Sequence, residues 1–153
     1  MDQDWYTESI RRLDGRPAAV FFGRWQPFHV GHETLIRKKL DQKIPCLVLV
    51  RNMPPDDGNP YTPQEAAAMV RAAFEGEDVT VVVMPDIESV NWGRGVGYEV
   101  NEHVLPADVQ RISATEIRKR IANSDDSWKE FVNARVARWL EAYYERDEDE
   151  VTG

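Results

Sequence analysis

Three short stretches of the chain are apolar almost without interruption: residues 18–22, 46–50 and 79–84. A half-exposed strand alternates apolar and polar positions, whereas an unbroken run suits a strand buried on both faces of a parallel sheet. Between the first two runs, residues 31–41 are amphipathic and predict a helix. Between the second and third, a helix is expected to start near Thr62. Thr62 is its N-cap, Pro63 its first helical residue and Glu65 the other half of a capping box. Ala66, Met69, Val70 and Phe74 form one apolar face, and Gly76 ends the helix. Strand, helix, strand, helix, strand predicts an α/β fold built on a parallel sheet with helical crossovers. The second half reads as helical. Residues 115–122 carry Ile117 and Ile121 at helical spacing, and a longer helix over 127–144 is expected to bury Phe131, Val132, Val136, Trp139, Leu140 and Tyr143. Residues 98–100 read as a further short strand. With no repeat or linker, one domain over 1–153 is expected, with an N-terminal extension over 1–16 and a disordered acidic tail over 146–153.

Composition narrows the partners. The 153 residues carry a formal net charge of −8. A duplex-binding surface shows a basic excess, so no nucleic-acid partner is expected. Much of the acidity is terminal, in Glu141, Glu145, Asp147, Glu148, Asp149 and Glu150, which leaves the rest nearer balance and an anion site permitted. The single cysteine, Cys46, borders an apolar run and reads as a small buried hydrophobe. No signal-peptide pattern and no membrane-length apolar segment occurs in the sequence, so a soluble, cytoplasmic protein is expected.

Two segments carry candidate chemistry. Residues 23–32 read Gly-Arg-Trp-Gln-Pro-Phe-His-Val-Gly-His, a turn between the first strand and the first helix. His29 and His32 stand three residues apart around Gly31, where a helix N-terminus presents unpaired N–H groups and partial positive charge. That arrangement suits a phosphate, and it leaves the carboxyl end of the first strand, where parallel α/β sheets bind ligands. No third ligand completes a metal site around the two histidines. The second segment, residues 112–118, reads Ile-Ser-Ala-Thr-Glu-Ile-Arg. Ser113 or Thr115 caps a helix with Arg118 one turn in, so hydroxyl, backbone N–H and guanidinium together suit a polyphosphate.

These two segments resemble the HxGH and ISxTxxR signatures of the nucleotidylyltransferase superfamily. The similarity is closest to archaeal-type nicotinamide mononucleotide (NMN) adenylyltransferases, whose first motif reads GRFQPFHxGH. Asn59-Pro60-Tyr61-Thr62 resembles that family's NPFT, and Pro85-Asp86-Ile87-Glu88 its PDI segment. Trp128 and Trp139 lie in a similar C-terminal helical region. The resemblance implies a Rossmann-like fold and transfer of AMP from ATP to a phosphate-bearing acceptor, with NMN the leading acceptor and pyrophosphate the leaving group. It implies that His29, His32 and Arg118 are catalytic. Phe22, Gly23, Arg24, Gly31, Ser113, Thr115 and Arg118 would bind the nucleotide, and Mg²⁺ would arrive on its phosphates. Family members often form homo-oligomers, so self-association is a further expectation.

The chain departs from the family pattern mainly in the acceptor region. The loop over 52–58 lacks an arginine, and Arg51 at the end of the second strand is the nearest substitute. Asp56 and Asp57 in that loop read as solvated. Between Glu88 and Ile112 the family carries another strand and helix, whereas this chain has a short glycine-rich stretch. Asn91 and Trp92 follow Glu88 much as the nicotinamide-holding Asn and Trp follow in the family. Arg94, inside Gly93-Arg94-Gly95-Val96-Gly97, is a candidate counter-charge to the acceptor phosphate; His103 reads as incidental. The readings that stay open are a cytidylyltransferase using CTP, an adenylyltransferase acting on a phosphosugar or phosphopantetheine, and a nucleotide-binding regulatory module without turnover. An interaction protein working through its acidic tail has only the tail behind it.

Overall fold

The computed structural model describes residues 13–152, and side chains over 13–146; the expected extension over 1–16 lies mostly outside the described residues. Strand β1 (Ala19–Gly23) leads through the histidine turn into helix α1 (Val30–Leu40), then strand β2 (Cys46–Asn52), helix α2 (Pro63–Ala73) and strand β3 (Val79–Pro85). The strands form one parallel sheet in the order β1-β2-β3, with Ala19 beside Cys46 and Cys46 beside Val79. This is the Rossmann-like α/β arrangement that the alternation of elements predicts. A one-turn helix α3 (Ala107–Gln110), helix α4 (Ala114–Ala122), a 3₁₀ turn (Asp126–Phe131) and helix α5 (Ala134–Thr152) follow.

The helix starts form where local chemistry dictates. Thr62 accepts from the Glu65 N–H at 3.0 Å while Glu65 accepts from the Thr62 N–H at 2.8 Å, with Pro63 at the first helical position. The core sits between the sheet and α2, which packs against β2 and β3 on one side and α5 on the other. Val48, Val50, Met69, Val70, Val136 and Leu140 are fully enclosed there, each apolar side chain contributing roughly 1.5–3 kcal/mol by leaving water. Cys46 is buried among them, as expected, and burial pushes its thiol up to about 11.

Four expectations are corrected. First, β1 is not buried on both faces: on this edge strand Phe21 is buried, whereas Val20 and Phe22, on the opposite face, are 45% and 49% exposed. Second, the helix expected over 127–144 is broken. Val132 is extended, and Asn133 accepts from the Arg135 N–H at 2.8 Å, starting α5 afresh. The apolar spacing runs across the break, so Val132, Val136 and Leu140 are buried regardless. Third, residues 98–100 form no strand; Tyr98 and Val100 are exposed in an irregular stretch, without a strand to pair with. Fourth, the acidic segment read as a tail is helical in backbone, because α5 continues to Thr152.

Replacing Thr62 with Ala removes one half of the capping box. It is expected to lower the unfolding free energy by about 1 kcal/mol, read as a shift in urea midpoint at unchanged slope. Thr62→Ser should stay close to wild type, and equal shifts in both variants would dissociate the hydroxyl from the effect.

Candidate active site

The turn between β1 and α1 is held by its own imidazoles. His29 is the N-cap of α1, and its Nδ1 accepts from the Gly31 N–H at 3.0 Å. His32 reaches back, its Nδ1 accepting from the His29 N–H at 3.2 Å. A neutral imidazole carries one proton, so a ring whose Nδ1 accepts must carry that proton on Nε2. Both histidines therefore present Nε2–H donors. The rings stack with centroids 3.7 Å apart and planes 21° from parallel. Burial lowers the His29 pKa to about 4; burial, with His29 alongside, holds His32 well below the ordinary imidazole value. The site at neutral pH is a pair of uncharged donors rather than a pair of cations.

Neighbours of the turn explain its residue types. A Cβ on Gly31 would lie 2.8 Å from the His29 ring, closer than such contacts permit, so the glycine lets the imidazole fold over its own helix. A Cβ on Gly23 would lie 2.8 Å from the Trp25 ring. Trp25 is buried with φ at +56°, donates from its indole to the Leu49 carbonyl at 3.2 Å, and meets His32 edge-on at 4.9 Å. A left-handed tryptophan is costly and persists only where its surroundings enforce it. Phe28, fully buried, lies 5.6 Å from His32 with the ring planes tilted by 33°. Trp25, Phe28 and Gln26 were not singled out in the sequence. The signal available was their place inside the Gly23–His32 motif.

Arg118 comes to the same turn from α4. Its guanidinium donates to the Gln26 main-chain carbonyl and, at 3.3 Å, to the Thr115 hydroxyl. Ser113 caps α4, accepting from the Glu116 N–H at 3.1 Å. The two sequence segments, about ninety residues apart (92 between Gln26 and Arg118), thus meet in space. Arg24 and Arg51 stand at the carboxyl ends of β1 and β2, each facing a carboxylate. Arg24 lies 3.4 Å from Asp56 and also donates to the Pro54 carbonyl at 3.2 Å. Arg51 meets Asp86 at 2.6 Å, and that hydrogen bond is the main reason the Asp86 carboxyl titrates below its usual range. Asp56 also closes its own loop by accepting from the Gly58 N–H and the Asn59 amide. Phe22 is half exposed beside the turn.

Asn91, Trp92 and Arg94 lie on the irregular, exposed stretch after β3. The Asn91 amide donates to Ser89, and Trp92 is 49% exposed. No described hydrogen bond, ion pair or ring contact brings these three to the histidine turn. Among the described residues, no three His, Cys, Asp or Glu side chains cluster as a metal cage. No helix of the described residues is long and apolar enough to cross a membrane.

No family model matches the chain. Similar proteins are nevertheless found. They include a nicotinamide-nucleotide adenylyltransferase of Sulfolobus acidocaldarius, 29% identical over 80% of this chain and 87% of the relative. Another, of Haloarcula marismortui, is 26% identical over 79% of each, and one of Methanococcus aeolicus is 28% identical over 74% of this chain and 82% of its own. These similarities agree with the resemblance to nucleotidylyltransferases that the two signature segments carry. The match to the Sulfolobus nucleotidylyltransferase runs over 154 positions yet spans only 80% of a 153-residue chain, so the relative carries residues that this one lacks. The candidate donors His29, His32 and Arg118 converge on one turn, while Asn91, Trp92 and Arg94 make no described contact with it.

The neutral histidines have a consequence for stability. In the unfolded chain imidazoles take up protons near pH 6.5, whereas folded His29 stays neutral to about pH 4 and His32 titrates well below its ordinary value. Between those pH values the unfolded state binds more protons, so stability falls as pH falls. From pH 6.5 to 5 the loss should reach up to about 1.4 kcal/mol per pH unit for each buried histidine. Urea titrations at several pH values check this, and a stability that is flat over that window would contradict two buried neutral imidazoles.

Proposed function

We propose that the chain transfers AMP from ATP to the phosphate of NMN, giving NAD and pyrophosphate. The observation that carries this is the convergence of two histidines whose Nδ1 atoms are engaged, leaving Nε2–H donors, with the Arg118 guanidinium on a single turn. The activity for which the similar proteins of Sulfolobus acidocaldarius and Haloarcula marismortui are named supplies the choice of substrates.

An oxygen of the acceptor phosphate attacks the α-phosphorus of ATP, and the bond from that phosphorus to the β-phosphate bridging oxygen breaks. The bonding electrons leave with pyrophosphate. A phosphate monoester is already an anionic nucleophile, so no general base is required, and catalysis rests on positioning and charge stabilisation. In this reading His29 and His32 donate to the oxygens around the α-phosphorus. Because the rings are uncharged, they stabilise the growing charge as fixed dipoles and transfer no proton. Arg118, with Ser113 and Thr115 at the start of α4, holds the β- and γ-phosphates, and its guanidinium keeps donors to spare after its two protein contacts. Arg24, with Phe22, Gly23 and Gly31 lining the turn, completes the nucleotide side. Arg51, Asn91, Trp92 and Arg94 take the acceptor. The donor set at the turn consists of N–H groups and guanidinium, which fits phosphate oxygens rather than a cation. Mg²⁺ would accordingly be held by the phosphates and would neutralise their charge.

His32→Ala should lower turnover at least ~100-fold, the scale of losing one transition-state donor, while circular dichroism still reports a folded chain. An unchanged rate would remove the histidine pair from the mechanism. Product chromatography with ATP or CTP against NMN, a phosphosugar and phosphopantetheine tests the substrates. Pyrophosphate released from CTP, or from ATP with another acceptor only, would reassign them. Nucleotide binding without release would mark a regulatory module.

A further inference from the structure

Gln26 lies inside the histidine turn and has no role so far. It is one of few buried polar residues, 5% exposed. Its side chain spans to the loop before α2, where Oε1 accepts from the Tyr61 N–H at 2.9 Å and Nε2 donates to the Tyr61 carbonyl at 2.9 Å. A primary amide suits both ends of one residue's backbone in this way, since it carries a donor and an acceptor side by side without any change of protonation. Tyr61 itself is anchored: its ring is fully buried, and its hydroxyl lies 2.6 Å from that of Tyr144 on α5. The main-chain carbonyl of Gln26 receives Arg118. One residue therefore ties the turn to the entry of α2 by its side chain and to α4 by its backbone.

We propose that Gln26 is a positioning residue, clamped to Tyr61 so that its carbonyl sets where the Arg118 guanidinium stands over the histidine turn. It acts on catalysis through that arginine, a role that rests on the nucleotidyl-transfer reading above. The alternative is a purely structural clamp, whose loss lowers stability and leaves the arginine where it is. The two differ in coupling. If Gln26 acts through Arg118, its effect on turnover disappears once Arg118 is gone; if it serves only the fold, the effects multiply.

The test is a double-mutant cycle. Gln26→Glu keeps the acceptor for the Tyr61 N–H and, when ionised, sets an oxygen against the Tyr61 carbonyl; kinetics are read at a pH high enough to ionise it, since the protonated carboxyl would restore the donor. It is gentler on the fold than Gln26→Leu, which leaves both backbone groups unpaired. Gln26→Glu should lower kcat roughly 100-fold, the cost of about an ångström of misplacement, with the KM for the acceptor little changed. Repeated in an Arg118→Ala background, the same substitution should change kcat less than about twofold. Multiplicative losses in the two backgrounds overturn the proposal. A crystal structure of Gln26→Glu is the arm independent of turnover. The guanidinium should leave its place at residue 26 while the His29–His32 stack persists, and an unmoved guanidinium overturns the proposal even in an inactive protein. Should the wild-type chain release no pyrophosphate from any substrate pair, the reaction assignment fails and the structure alone decides whether Gln26 places Arg118.

Discussion

Two backbone N–H groups at the start of α1 have no helical partner, and the protein satisfies them with imidazole nitrogens. Much of the site follows from that choice. Once each Nδ1 is occupied as an acceptor, the proton of each ring is fixed on Nε2 and the ring orientation is fixed with it. Burial then keeps both rings uncharged, so two like groups stack at 3.7 Å without electrostatic penalty. Gly31 is required because a side chain there would strike the His29 ring. Each imidazole caps the helix through Nδ1 and leaves Nε2–H for the proposed phosphate contact, so a substitution at either histidine touches both.

Around this turn the remaining elements act as a frame. The sheet delivers the turn at the carboxyl end of β1, Trp25 and Phe28 wall the His32 ring, and α4 brings Arg118 across from far along the sequence. The hydrogen bonds of Gln26 and the Tyr61–Tyr144 contact connect this frame to α2 and α5. The fold's second half thus reaches the site through side chains rather than through additional strands.

How far the sequence foretold this depends on how local the deciding physics is. The start of α2 was legible because Thr62, Pro63 and Glu65 settle it among themselves. The three strands were legible as apolar runs, but the exposure of β1 was not, since no run of residues states which of its faces another element will cover. The break at Val132 was hidden because the apolar spacing continues through it; Asn133 was the overlooked signal. The histidines were legible as residues, whereas their tautomers required knowing which backbone N–H each ring meets. Gln26 was invisible as a clamp because Tyr61, which it holds, lies 35 positions away. Asn91, Trp92 and Arg94 show a different case, a resemblance in order along the chain with no described contact to the turn.

The arginines at the ends of β1 and β2 are not waiting in a field of bare positive charge, because Asp56 and Asp86 already face them. An anion arriving there performs an exchange, in which one negative partner replaces another, and the free energy gained is the difference between two pairings. Attraction is moderated by that difference. The displaced carboxylates remain tethered a few ångströms off, so they compete for the arginines throughout the occupied state. A site arranged in this way favours ligands that carry more charge than a single carboxylate, and it lets go of them by the same substitution run backwards.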